Sequence, residues 1–155
     1  MSARVVEQVS EVAAPHAQVW KRVVSPEGIN DEMRPWLTMT MPRATGDLTV
    51  ATVPLGQPLG RAWIRLFGVL PIDYDHLSIV ALEPGRSFHE KSTMFSMRSW
   101  QHERTLTPVD DAVTRVHDRI TFEPRLLLRL SAGFMARVFA GFFAHRHRRL
   151  ARHFT

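Results

Sequence analysis

The last thirty residues constrain the fold most. From Leu126 to Thr155 no proline interrupts the chain, and Pro124 marks a boundary just upstream. Large apolar groups recur at Leu127, Leu130, Phe134, Val138 and Phe142, and a neighbouring stripe carries Leu128, Met135, Phe139, Phe143, Leu150 and Phe154. Spacings of three and four put each stripe on one side of a helix. The two stripes make a wide apolar face that a lone helix cannot hold in water. The pattern therefore predicts one long C-terminal helix packed against a sheet or a second layer.

The last turns of this helix have a different character. The stretch 126–155 holds six arginines and no acid, so the net charge of +5 is concentrated there. Arg146, Arg148, Arg149 and Arg152 are the candidates for weak contact with an acidic surface. Arg-rich turns also complement a helix C-terminus, and a solvated end is the simpler reading. No nucleic-acid motif accompanies them, so DNA is an unlikely partner. Arg129 and Arg137 break the apolar run before it reaches the eighteen residues of a bilayer span, so no transmembrane segment is expected. The chain has no cysteine, which excludes disulfides and thiolate chemistry and suits a cytoplasmic location. Its 155 residues suit one domain, 1–155, as a monomer or homodimer.

Upstream of Pro124 the chain reads as one strand, two short helices and a run of about six strands. The first strand spans Arg4 to Ala13, with either face able to point inward. A short helix follows Ala14-Pro15 and a second follows Ser25-Pro26, ending before Pro35. Strands are expected near Trp36–Met41, Asp47–Val53, Asp73–Glu83, Ser87–Met97, Ser99–Thr107 and Ala112–Phe122; Arg61–Phe67 fits a strand or a helical turn. Short connections make the later strands antiparallel neighbours. The predicted architecture is α+β, a curved antiparallel sheet wrapped on the C-terminal helix.

Four stretches in this order resemble the START-like superfamily, the polyketide cyclase/dehydrase and lipid-transport group. They are APHAQVWKRVVSPEGIN at 14–30, PLGRAWIRLFGVLPIDYDHL at 58–77, EPGRSFHEKS with WQHERTLTP at 83–108, and FFAHRHRRLARHF at 142–154. The chain is most similar to stand-alone bacterial members. The resemblance implies the helix-grip fold of the birch-pollen allergen, with an apolar cavity between sheet and helix. It also implies a lipid, polyketide or aromatic ligand, no cofactor, and catalysis in only a minority of members.

The candidate site residues follow from strand alternation. Trp100, His102, Arg104 and Leu106 share one face, where His102 and Arg104 could meet an enclosed ligand. Asp118 lies among Val116, Ile120 and Phe122, and a carboxylate there needs Arg104 or His102 as partner. Tyr74 and His76 share an alternating face with Ser78, and Tyr74 could offer a ligand apolar area and one hydroxyl. Phe134, Val138 and Phe142 would supply the helix wall. An enzyme of the cyclase or dehydratase class would use His102 with Tyr74 or Asp118; binding alone is the leading expectation. Asp73, Asp75 and His76 do not converge on a metal site, and His145 and His147 do not face each other on a helix, so no metal is expected.

Overall fold

A computed structural model describes residues 3–40 and 55–155. Seven antiparallel strands form one curved sheet: β1 (Arg4–Val12), β2 (Leu37–Met39), β3 (Pro58–Leu66), β4 (Leu70–Glu83), β5 (Ser87–Met94), β6 (Met97–Asp110) and β7 (Val113–Pro124). Their order across the sheet is β1-β7-β6-β5-β4-β3-β2. Helices α1 (His16–Val23) and α2 (Pro26–Met33) follow β1, and α3 (Ala132–His153) closes the chain. This is the expected helix-grip architecture. The ambiguous stretch Arg61–Phe67 falls almost wholly in β3, which pairs antiparallel with β4 with a register shift between Ile64 and Arg65. The strand expected at Asp47–Val53 lies outside the described residues.

Residue alternation fixes which face of each strand is inside. On β1, Val6 and Val12 are buried, while Val5 and Val9 face out. Two apolar clusters result. One joins Val12, Val19, Val23, Leu106, Val116 and Leu150. The other joins Val6, Met94, Met97, Ile120, Phe122 and Phe143, with Trp100, Met135, Phe139 and Phe142 packed on it. Together they account for the sheet, α1 and one stripe of α3.

The C-terminal helix departs from expectation in two ways. Leu126–Ser131 is a 3-10 segment, and the α-helix begins only at Ala132. The stripe of Leu127, Leu130, Phe134 and Val138 does not pack on the sheet; Leu127 and Leu130 are fully exposed and Phe134 largely so. The second stripe, joined by Phe142 from the first, fills the core, because the helix lies chiefly along β1 and α2 and only one side of it meets the sheet. An 18-residue window within Leu126–His153 reaches a mean hydropathy of 1.5, long and apolar enough for a span by length and composition alone, but Phe143, Arg146, His147 and Leu150 in the second half of the helix are buried in the domain.

The turn between α1 and α2 is tight. Ser25 caps α2 by accepting from the Gly28 N–H at 3.0 Å. Its hydroxyl donates to the Arg22 carbonyl at 2.8 Å, and Pro26 occupies the first turn. A Cβ at Gly28 would stand 1.8 Å from the Arg22 carbonyl oxygen. Gly28→Ala is therefore expected to lower stability by roughly 2 kcal/mol or more, read as a lower urea midpoint. An unchanged midpoint would show that the α1–α2 turn can shift freely.

Candidate functional site

A charged layer lies between the two apolar clusters. The β6–β7 register sets Arg104 opposite Asp118 and His102 opposite Ile120. Arg104 grips Asp118 with two donors, Nε to Oδ1 and Nη2 to Oδ2, both at 2.7 Å. Its Nη1 and Nη2 also donate to Glu32 of α2 at 2.9 and 2.8 Å. His102 Nε2 donates to Asp118 Oδ1 and His147 Nε2 to Asp118 Oδ2, each at 2.7 Å. With Nε2 donating, His147 Nδ1 accepts from the Ser10 hydroxyl at 2.5 Å. Arg146 completes the set with a 3.2 Å bond to Glu32. Arg104, Arg146, Glu32, Asp118, His102 and His147 are all buried.

The ionisation of this layer follows from its partners. Burial alone would raise the Asp118 carboxyl, but Arg104 and His102 outweigh it and hold Asp118 well below its ordinary value. Glu32 is lowered in the same way, with Arg104 and Arg146 overcoming the cost of burial. Burial would lower His102, yet Asp118 and Glu90 raise it. Desolvation likewise opposes the Arg104 charge, and Asp118 and Glu32 reverse the balance. The carboxylates stabilise the fold fully above their ordinary values of 3.8 and 4.5, and lose this as pH falls through their lower folded values. His102 contributes fully below 6.5 and less as pH rises through its raised folded value.

A second polar pair lies further along the concave face, on β4 and β5. Asp75 pairs with Met94 and with Ala62, and Ser92 with Leu77 and Trp100, so both side chains sit on the inner rows. Each is only 4% exposed. Burial pushes the Asp75 carboxyl up to about 7, with Glu90 adding to the shift. Ser92 opposes that shift as a hydrogen-bonding neighbour of the carboxyl, but its hydroxyl falls short of a well-formed bond to Asp75. Asp75 Oδ1 and Ser92 Oγ are the buried side-chain polar atoms with no hydrogen-bond partner among the described residues. Beyond Ser92 the inner face continues through Glu90 to His102, whose Nδ1 stands 3.8 Å from Glu90. Phe88 and Phe143 meet the His102 ring edge-on at 5.5 and 5.2 Å, and Trp100 stacks edge-on against Phe139 at 5.1 Å.

The expected residues divide into three groups. His102, Arg104 and Asp118 come together, and Asp118 has both partners foreseen for it. Trp100 and Phe142 join the inner apolar cluster. Tyr74 and His76 do not join them. They alternate with buried Asp75 and so stand on the outer face, where Tyr74 meets Trp63 and the Arg61 guanidinium. A Tyr74–His102 pair is thereby excluded, because the sheet lies between them. Phe134 and Val138 are exposed rather than walling the grip. The basic helix end is also less free than its sequence implies: Arg146 is buried on Glu32, and Arg149 binds Asp31 at 2.9 Å. Only Arg148 and Arg152 of that group remain exposed.

Sequence reasoning missed Glu32, Ser10, Asp75, Ser92 and His147. The signal for His147 was present, since it stands four residues after Phe143 on the buried stripe. Asp75 was hidden by choosing the Tyr74 face of β4. Among the described residues no group of three or more His, Asp or Glu is placed to hold a metal ion. A surface cleft of about 650 Å³ lies between α2, β2, the β3–β4 turn and the end of α3; of the expected residues it includes only Arg149, and none of those expected to meet the ligand.

A family model, Domain of unknown function (DUF8410), matches residues 10–154. The chain belongs to this family. No curated protein matches the sequence. Among solved structures, a START superfamily protein from Mycobacterium smegmatis aligns with TM-score 0.71 at 10% identity, covering 97% of this chain and 96% of that one. The Zhui aromatase/cyclase from Streptomyces sp. R1128 aligns with TM-score 0.54 at 19% identity, over 94% and 95%. DynU16, a putative protein of the dynemicin biosynthetic locus, aligns with TM-score 0.63 at 19% identity over 96% of this chain; the chain spans 46% of its length. At these identities the likeness shows that the chain shares a START-like fold with these proteins.

Two outcomes test the electrostatics. Arg104→Met leaves Asp118 and Glu32 buried with fewer partners, and a loss of roughly 3–5 kcal/mol is expected in urea unfolding. A loss under about 1 kcal/mol would show that the layer is hydrated. For Asp75, the folded chain keeps a proton between 3.8 and about 7 that the unfolded chain has lost, so stability falls as pH rises through that window and levels off above it. Asp75→Asn removes this titration. Its stability relative to the parent should improve by roughly 2–3 kcal/mol between pH 5 and pH 8. A difference independent of pH would refute the raised carboxyl.

Proposed function

We propose that the domain binds a largely apolar small molecule against the concave face of the sheet, with Asp75 and Ser92 as its polar anchor. One observation carries this reading: two adjacent buried side chains each have an atom without a partner. Leaving such atoms unmet costs about 1–3 kcal/mol each. A ligand hydroxyl or phenol that donates to Asp75 and accepts from Ser92 would supply the missing bonds. Met94 and Trp100 are their cross-strand neighbours, in an apolar, adaptable cluster with Met97, Phe139 and Phe142 that suits a lipid, polyketide or aromatic body. The START-like fold supports the same class of ligand.

A second reading is proton transfer on such a ligand, in the manner of a cyclase or dehydratase. The Asp75 carboxyl near 7 favours it, since an acid–base group works best close to ambient pH. His102 is less suited to act as base, because it is raised and already held by Asp118.

Native mass spectrometry of the purified protein tests the binding reading. A non-covalent mass lost on denaturation is expected, and solvent extraction then identifies it. Asp75→Leu should weaken retention of that molecule by about tenfold or more. A bare chain mass, with no uptake of an apolar fluorescent probe, would sink the proposal. Unchanged binding but lost conversion of the ligand in Asp75→Asn would favour the catalytic reading.

A further inference from the structure

We propose that the end of the domain built from the start of β4, the β5–β6 turn and the 3-10 segment docks on an anionic lipid bilayer. Six large apolar side chains stand in solvent there: Ile72, Phe95, Leu126, Leu127, Leu130 and Phe134 are 48, 72, 73, 96, 104 and 71% exposed. Backbone links hold their segments together. Asp73, next to Ile72, accepts from the Phe95 N–H at 2.8 Å and from the Ser96 hydroxyl. The Arg125 N–H donates to the Ser96 carbonyl at 3.1 Å, and Arg125 Nε to the Met94 carbonyl at 2.9 Å. Leu126 and Leu127 emerge directly from that junction, Leu130 follows at the end of the 3-10 segment, and Phe134 lies in the first turn of α3.

Charge decides between the surfaces that could cover this patch. Arg4, Arg98, Arg125 and Arg137 are exposed around it, and none is in an ion pair among the described residues. The Arg4 guanidinium lies 3.9 Å from where a Gly133 side chain would begin, on the first turn of α3. No acid occurs from Arg125 to Thr155, and Asp73 is occupied by its hydrogen bonds. Apolar side chains ringed by arginines match an interface of acyl chains beneath anionic headgroups. A second copy would bring the same arginine rim against itself. The helix does not span the bilayer, because Phe143, Arg146, His147 and Leu150 in its second half are buried in the domain. Only the exposed first part enters the interface, which reconciles the apolar window with a folded domain. This inference does not rest on the ligand reading.

Vesicle co-sedimentation of the full chain tests it. Binding to phosphatidylcholine/phosphatidylglycerol vesicles at low salt is expected, with much weaker binding to phosphatidylcholine alone and a marked loss at high salt. The double variant Leu127→Ser/Leu130→Ser should bind at least about tenfold less while keeping its circular dichroism spectrum, since both side chains are exposed. Arg98→Gln/Arg137→Gln should weaken binding and flatten the salt dependence. The proposal is overturned by absence of binding to the anionic vesicles, or by binding that the leucine variant leaves unchanged. It is also overturned if sedimentation velocity shows a dimer that this variant abolishes, since the patch is then an interface between copies.

Discussion

The two-pronged bond between Arg104 and Asp118 joins nearly every layer of this fold. Arg104 and Asp118 belong to neighbouring strands, Glu32 ties the same guanidinium to α2, and His147 ties the same carboxylate to α3. Each member is expensive to bury alone and well satisfied together. The layer therefore fixes where α2 and α3 sit on the sheet, which apolar packing by itself constrains less tightly. It also divides the core in two, with Leu106, Val116 and Leu150 on one side and Trp100, Ile120 and Phe143 on the other.

That division has a functional consequence. The charged layer is closed, with its carboxylates and guanidinium engaged by one another. His102 and Asp118, which sequence alone would place against a ligand, are occupied in structure. The unmet polar atoms lie further across the sheet, at Asp75 and Ser92, beside the more aromatic and methionine-rich cluster. Positions that hold the fold and the positions proposed to meet a ligand are thus separated along one continuous concave face.

The order of elements was legible because each rests on local signals. Proline boundaries, the Ser25-Pro26 helix start and period-two alternation in β6 and β7 work within a few residues. The need of Asp118 for Arg104 or His102 was legible too, because a carboxylate among Val116, Ile120 and Phe122 demands a partner on the adjacent strand. Glu32 was not legible: nothing near it announces that α2 will meet β6, a contact between residues 72 apart in sequence.

Sequence by itself determined the curved sheet, the long helix and the alternation of faces, because hydrophobic period and chain punctuation are properties of neighbouring residues. Tertiary structure decided which alternate face is inner. It turned Tyr74 and His76 outward and Asp75 inward, buried Arg146 on Glu32, and left Leu127 and Leu130 in water. These outcomes depend on how the helix is rotated and where it crosses the sheet. A stripe of leucines looks the same in sequence whether it meets a core or solvent; only the packing of the whole chain distinguishes the two.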